Sequence, residues 1–155
     1  MKKSKLKTYL ALEAIASFIG IMLLLIDDFA GFYHYDYYNK IRIWGFVGLG
    51  NGVLGSVLIL IGALALLFSL YTSIRYLRMK KISVQSLKKD MKRVMISGIF
   101  VSALAGIGAL VFIITNVIDE TQEWWLDSGF YGAFIGGILI IILAKIILNK
   151  LKTKK

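Results

Sequence analysis

The chain contains no cysteine, no proline and one histidine, His34. Without thiols there is no disulfide, no thiolate metal site and no cysteine nucleophile. A single histidine and no HExxH also rule out the common zinc and triad arrangements. Acid is scarce, with 9 Asp and Glu against 19 Lys and Arg and a net charge of +10. What the sequence has in quantity is apolar surface: 58% of 155 residues are hydrophobic and mean hydropathy is +0.75. An ordinary soluble domain is about 45–50% apolar, and one of this size could not bury the excess.

Four apolar runs account for that excess, at about 8–26, 43–71, 94–118 and 129–149. Each has the roughly 17–25 residues needed to cross a hydrocarbon core of about 30 Å. They are continuously apolar, without the in-out alternation of a barrel strand, and in lipid every backbone amide must be paired within its own segment. The expected fold is therefore all-α, a single polytopic domain over residues 1–155 built as a four-transmembrane-helix bundle. The N-terminal run is longer than the apolar region of a signal peptide and is followed by Asp27-Asp28 rather than a small-residue cleavage site, so it reads as a retained first helix.

The basic residues are segregated. All 19 except Lys40, Arg42 and Lys145 lie before the first helix, between the second and third, or after the fourth. The positive-inside rule then places both termini and a basic middle loop, 72–93, in the cytoplasm of a multi-pass cell-membrane protein. Arg75, Arg78, Lys80, Lys81, Lys88, Lys89, Lys92 and Arg93 in that loop are expected to bind an anionic cytoplasmic leaflet, at about 1 kcal/mol each. Ser86 is the expected cap of helix three. This distribution points to the bilayer as partner, and no nucleic acid is expected.

Helix two carries Gly45, Gly48, Gly52, Gly55 and Gly62 at steps of three, four, three and seven. Such a stripe removes side chains from one side and lets a neighbouring helix approach closely. Gly129, Gly132 and Gly136 repeat the pattern at the head of helix four, 84 residues after Gly45, Gly48 and Gly52. The offset raises the expectation of two parallel helical-hairpin repeats. Helix three adds Gly98, Ser102, Ala105 and Ala109 at steps of four, three and four. Gly50 to Gly55 also satisfies GxGxxG, but with no acid about 20 residues on and the glycines inside an apolar span, packing is the reading.

The outer connections are aromatic. Trp44, Trp124, Trp125 and Tyr33, Tyr35, Tyr37 and Tyr38 suit the headgroup level, where a ring is half wet. Phe29, Phe32, Tyr33 and Tyr37 would share one face of a short helix, and Tyr33, Tyr35 and Tyr37 one face of a strand; both readings stay open. His34 with Asp27, Asp28 and Asp36 is the one conceivable metal cluster, but a rigid set of three or four ligands is the usual requirement. No metal or cofactor is expected.

Two charges lie within the helices, Glu13 in the first and Lys145 in the fourth. Counted from the cytoplasmic ends they reach a similar depth, roughly 7–8 Å at about 1.5 Å per residue. An intramembrane ion pair, snorkelling of both side chains to the headgroups, and an ion or proton path are the three readings. Leu12-Glu13-Ala14-Ile15 resembles the membrane-embedded glutamate of the small multidrug transporters, which implies proton exchange. The likeness covers one residue and its neighbours, and the long basic middle segment and Lys145 depart from it, so no family is assigned. Between Asn51 and its expected end, helix two offers only Ser56 and Ser69, and helix four no polar side chain between Tyr131 and Lys145.

No catalytic constellation emerges, and the chain is not expected to be an enzyme. The functional expectation is a structural or assembly subunit of a membrane complex, associating with other subunits or itself through glycine-lined helices. The alternative is a small oligomeric cation channel or proton-coupled transporter using Glu13 and the outer-loop acids.

Overall fold

The computed structural model describes residues 3–34, 37–41, 52–120 and 123–152. Four helices dominate: α1 (Lys3–Ile26), α2 (Gly52–Arg78), α3 (Val84–Ile118) and α4 (Ser128–Lys152). Each is long and apolar enough to cross a membrane. Large apolar side chains such as Ile15, Leu64, Ile107 and Ile142 point outward, as suits a multi-pass membrane protein whose solvent is lipid.

The helices form a ring in which α1 packs on α2 and α4, and α3 packs on α2 and α4, while the diagonals contribute little. Successive helices run antiparallel, as the contacts of Ser17 with Ser69, Tyr76 with Asp90 and Gly98 with Gly137 show, so the bundle has one end carrying the termini and another carrying the connections after α1 and α3. The core runs its full length through Leu10, Leu24, Leu66, Val94, Val101, Ile140 and Ile147.

Helix ends depart from the hydropathy boundaries. Segment 72–93 is not a loop: α2 continues to Arg78, α3 begins at Val84, and residues 79–83 alone connect them. Ser83 rather than Ser86 caps α3, its hydroxyl accepting from the Ser86 amide at 3.5 Å. The fall in hydropathy at Tyr71 marks where apolar surface ends, and a helix continues past that point when Arg75 and Arg78 favour its C-terminal dipole. At 35 residues and about 1.5 Å each, α3 is about 52 Å long, beyond a hydrocarbon core of about 30 Å.

The connections at the other end build a three-stranded antiparallel sheet. Its strands are β1 (Ala30–His34), β2 (Tyr37–Ile41) and β3 (Glu123–Leu126), in the order β2-β1-β3. The all-α expectation therefore holds for the helical bundle and not for its cap. The aromatic loop is extended, but not as one strand: Tyr33 lies on β1 opposite Tyr38, Tyr37 lies on β2 opposite His34, and Tyr35 is outside the described residues. Gly31 pairs with Lys40 on one side and Trp125 on the other, and its missing side chain makes room for the Trp125 ring, whose Cζ2 a β-carbon would meet at 2.5 Å. On the bundle side, Phe29 stands edge-on to Phe130 at 5.7 Å and Phe32 lies 6.3 Å from Phe112.

Among the described residues, close helix contacts centre on α4. A β-carbon on Gly132 would meet Leu23 Cβ at 2.6 Å, and one on Gly20 would meet the Gly132 carbonyl oxygen at 2.9 Å. Gly136 lies over Gly20 and Ala16, and Gly129 sits against the Asp28 carbonyl. Gly137 serves a second face of α4, meeting Gly98 and Ser102 of α3. Gly45 and Gly48 lie outside the described residues, as do the surroundings of Gly52 and Gly55; the internal repeat, which rests on them, is not shown. Gly62 has no atom within 4 Å of its β-carbon position.

Candidate functional site

Where α1 crosses α2, a polar cluster interrupts the apolar interior. Glu13 and Ser17 are four residues apart on α1, one turn along the same face. On α2, Ser69, Thr72, Ser73 and Tyr76 follow at steps of three, one and three, again a single stripe. All six are buried, with Glu13, Ser17, Ser69 and Ser73 at 0% exposure. Ser17 Oγ donates to Ser69 Oγ at 3.0 Å, and Ser69 Oγ donates to Glu13 Oε1 at 3.3 Å.

Three other hydroxyls within the helices bond to backbone: Ser102 donates across to the Phe134 carbonyl of α4 at 3.2 Å. Ser97 and Thr115 donate back to carbonyls of their own helix, the usual local solution. Ser17 and Ser69 instead bond to side chains across the interface and converge on the carboxyl. Glu13 Oε2 and Ser73 Oγ make no hydrogen bond of ordinary length, although the Ser73 hydroxyl stands close enough to the carboxyl to interact with it. Buried polar groups are bonded in the large majority of cases, so the protein's own atoms complete this cluster only loosely.

The hydroxyl stripe leads toward the end that carries the termini. One turn beyond Ser73, Tyr76 is 1% exposed and its hydroxyl donates to Asp90 Oδ2 of α3 at 2.7 Å. Asp90 also faces Arg93 at 3.6 Å. In the opposite direction the interior becomes apolar. Beyond Ser17 and Ser69 come Leu66 and Leu24, and then a cavity of about 80 Å³ lined by Leu24, Ile59, Gly62, Ala105, Phe112 and others, all hydrocarbon or glycine.

The sequence pointed to Glu13 but to the wrong partner. Lys145 is exposed, and Glu13 forms no ion pair among the described residues. The two do reach comparable depth, but Lys145 is nine residues from Gly136, which faces α1. Nine residues are two and a half turns, so the lysine points to the far side of α4. Lys150, fourteen residues from Gly136, returns to the α1 side, where its Nζ donates to Tyr9 Oη at 2.8 Å and lies 4.6 Å from the ring centre.

The hydroxyls were missed because helix two was ended at Tyr71, which left Thr72, Ser73 and Tyr76 in a loop. The spacing of Ser69, Thr72, Ser73 and Tyr76 was the signal that could have found them. The eight basic residues from Arg75 to Arg93 are all exposed, spread over the ends of α2 and α3. Among the described residues no three acids or histidines gather as metal ligands; Asp27 instead accepts from the Ser128 hydroxyl, and Asp28 is buried.

No family model, no curated protein and no solved structure matches the chain. The fold and the site together define a class: a bundle of four helices long and apolar enough to cross a membrane, with one carboxyl buried between two of them. Within that class its particular mark is the serine stripe that meets the carboxyl from α2.

Proposed function

We propose that the protein is a small carrier that loads and releases a proton or a monovalent cation at Glu13. The observation that supports this is the carboxyl itself: wholly buried, without a counter-ion among the described residues, and with one oxygen that makes no hydrogen bond of ordinary length. Acidic side chains at membrane depth are costly, face the bundle interior, and mark ion or proton pathways by default. The stripe from Ser73 to Tyr76 and Asp90 gives the site polar contact with the basic end of the bundle, which the positive-inside rule assigns to the cytoplasm. Because the cavity on the sheet side of the site is lined by hydrocarbon and glycine, a carrier that changes conformation fits better than an open channel. The exposed basic residues at the ends of α2 and α3 suit an anionic leaflet.

Assembly with other membrane subunits is the second reading. It is left with less support, since Gly129, Gly132, Gly136 and Gly137 are all taken up by contacts within the chain. The deciding experiment is proton flux into sodium-free liposomes under an imposed membrane potential, for the wild type and Glu13→Gln. Flux that Glu13→Gln abolishes, with the variant still folded, supports the carrier. Wild-type liposomes no leakier than empty ones would sink it, and assembly in mild detergent would then become the working reading.

A further inference from the structure

We propose that the cluster between α1 and α2 is a binding site for one alkali cation of sodium size, held by Glu13, Ser69 and Ser73. This names a cargo for the carrier proposed above and rests on that reading for its role, though not for its binding. Glu13 and Ser73 are both buried at 0% exposure and face each other at one crossing, yet Glu13 Oε2 and Ser73 Oγ make no hydrogen bond of ordinary length. Ser69 Oγ is already on the carboxyl at 3.3 Å, with Ser17 Oγ supporting it from behind at 3.0 Å. The site is thus a set of hard oxygen donors with spare lone pairs on at least two of them.

Charge selects among hard cations. The donor set carries one carboxylate, so one monovalent ion leaves the site neutral. A divalent ion would leave an uncompensated positive charge in the interior of the bundle, which desolvation disfavours. Calcium and magnesium sites commonly draw on more carboxylates and on water, and the other buried acid among the described residues, Asp28, lies beyond the far end of α1. Soft metals would call for thiolate or imidazole ligands, and the chain has no cysteine. A proton competes for the same carboxylate, which makes sodium and protons mutually exclusive occupants.

Thermal melting of the full chain in detergent tests this, with sodium chloride titrated against choline chloride at constant ionic strength. A ligand that binds only the folded state stabilises it by mass action, and at a hundredfold excess over its dissociation constant the melting temperature should rise by on the order of 5 °C. The rise should saturate, shrink as the pH is lowered, disappear in Glu13→Gln, and need at least about tenfold more sodium in Ser73→Ala. If Glu13→Gln does not fold, Ser73→Ala carries the test alone, because it removes one hydroxyl and leaves the carboxyl. Equal melting temperatures in sodium and choline at every pH would overturn the proposal, as would a full sodium response in Ser73→Ala. Neither result touches proton flux in sodium-free liposomes, so the carrier reading stands or falls separately.

Discussion

Replacing Gly132 by alanine should separate α1 from α4 by a measurable amount. The new methyl would lie 2.6 Å from Leu23 Cβ and 3.0 Å from its Cδ1, whereas ordinary contact begins at 3.4 Å. Leu23 Cβ is fixed to the backbone and cannot rotate away, so the helices must part locally by about 0.8 Å. A gap of 0.5–1 Å forfeits roughly a quarter to a half of each dispersion contact it opens. The crossing also includes Ala16, Gly20 and Gly136, and an overpacked site of this kind costs about 1–3 kcal/mol. Gly62→Ala is the internal control: it adds the same atom to the same kind of helix where nothing lies within 4 Å. It should be neutral or stabilising by up to about 1 kcal/mol. Melting temperatures in one detergent should move in opposite directions, or at least differ clearly. Equal losses for the two variants would refute the claim that close approach, rather than glycine content, organises the bundle.

Gly31→Ala should force the Trp125 ring off β1, since the methyl would stand 2.5 Å from its Cζ2 and 2.7 Å from its Cε2; a red-shifted tryptophan emission reports this, and unchanged emission would contradict it. Tyr76→Phe removes a 2.7 Å bond to Asp90 and should cost about 1.5 kcal/mol, the low end for a bond to a charged group. A variant as stable as wild type in chemical denaturation would mean that water replaces the hydroxyl there. With no native cysteine, Ser86→Cys gives background-free labelling: an impermeant thiol reagent should reach it only after permeabilisation, and labelling of intact cells would reverse the orientation.

The four helices were legible because each is a continuous apolar run, and lipid-facing surface does not depend on what the helix packs against. Their ends were not, since hydropathy reports the edge of apolar surface while capping and hydrogen bonding set the end of a helix. That difference hid Thr72, Ser73 and Tyr76, half of the candidate site. Glu13 was legible as a charge in the wrong solvent, but its partners depended on rotation about α4 as well as on depth. The sheet was out of reach for another reason: β1 pairs with β3 across about ninety positions of chain, and neither segment alone shows that the other is there. The pairing of helices through Gly20 and Gly132 or Gly98 and Gly137 was equally non-local: the stripe on α4 was visible, but not the glycines that meet it.

The glycine crossings divide the bundle unequally. Backbone-to-backbone approaches join α1 to α4 and α4 to α3, fastening three helices into one block. Among the described residues α2 has no such approach to either neighbour, and its Gly62 opens onto the cavity beside α3. Among the described residues α2 is thus a detachable stave: displacing it breaks side-chain contacts, while moving any other helix means unlocking paired glycines. Glu13 faces outward from the block, and Ser69 and Ser73 face it from the stave. A shift of α2 by one or two ångströms would therefore take the carboxyl's hydroxyls away and return them, with the rest of the fold as a fixed reference.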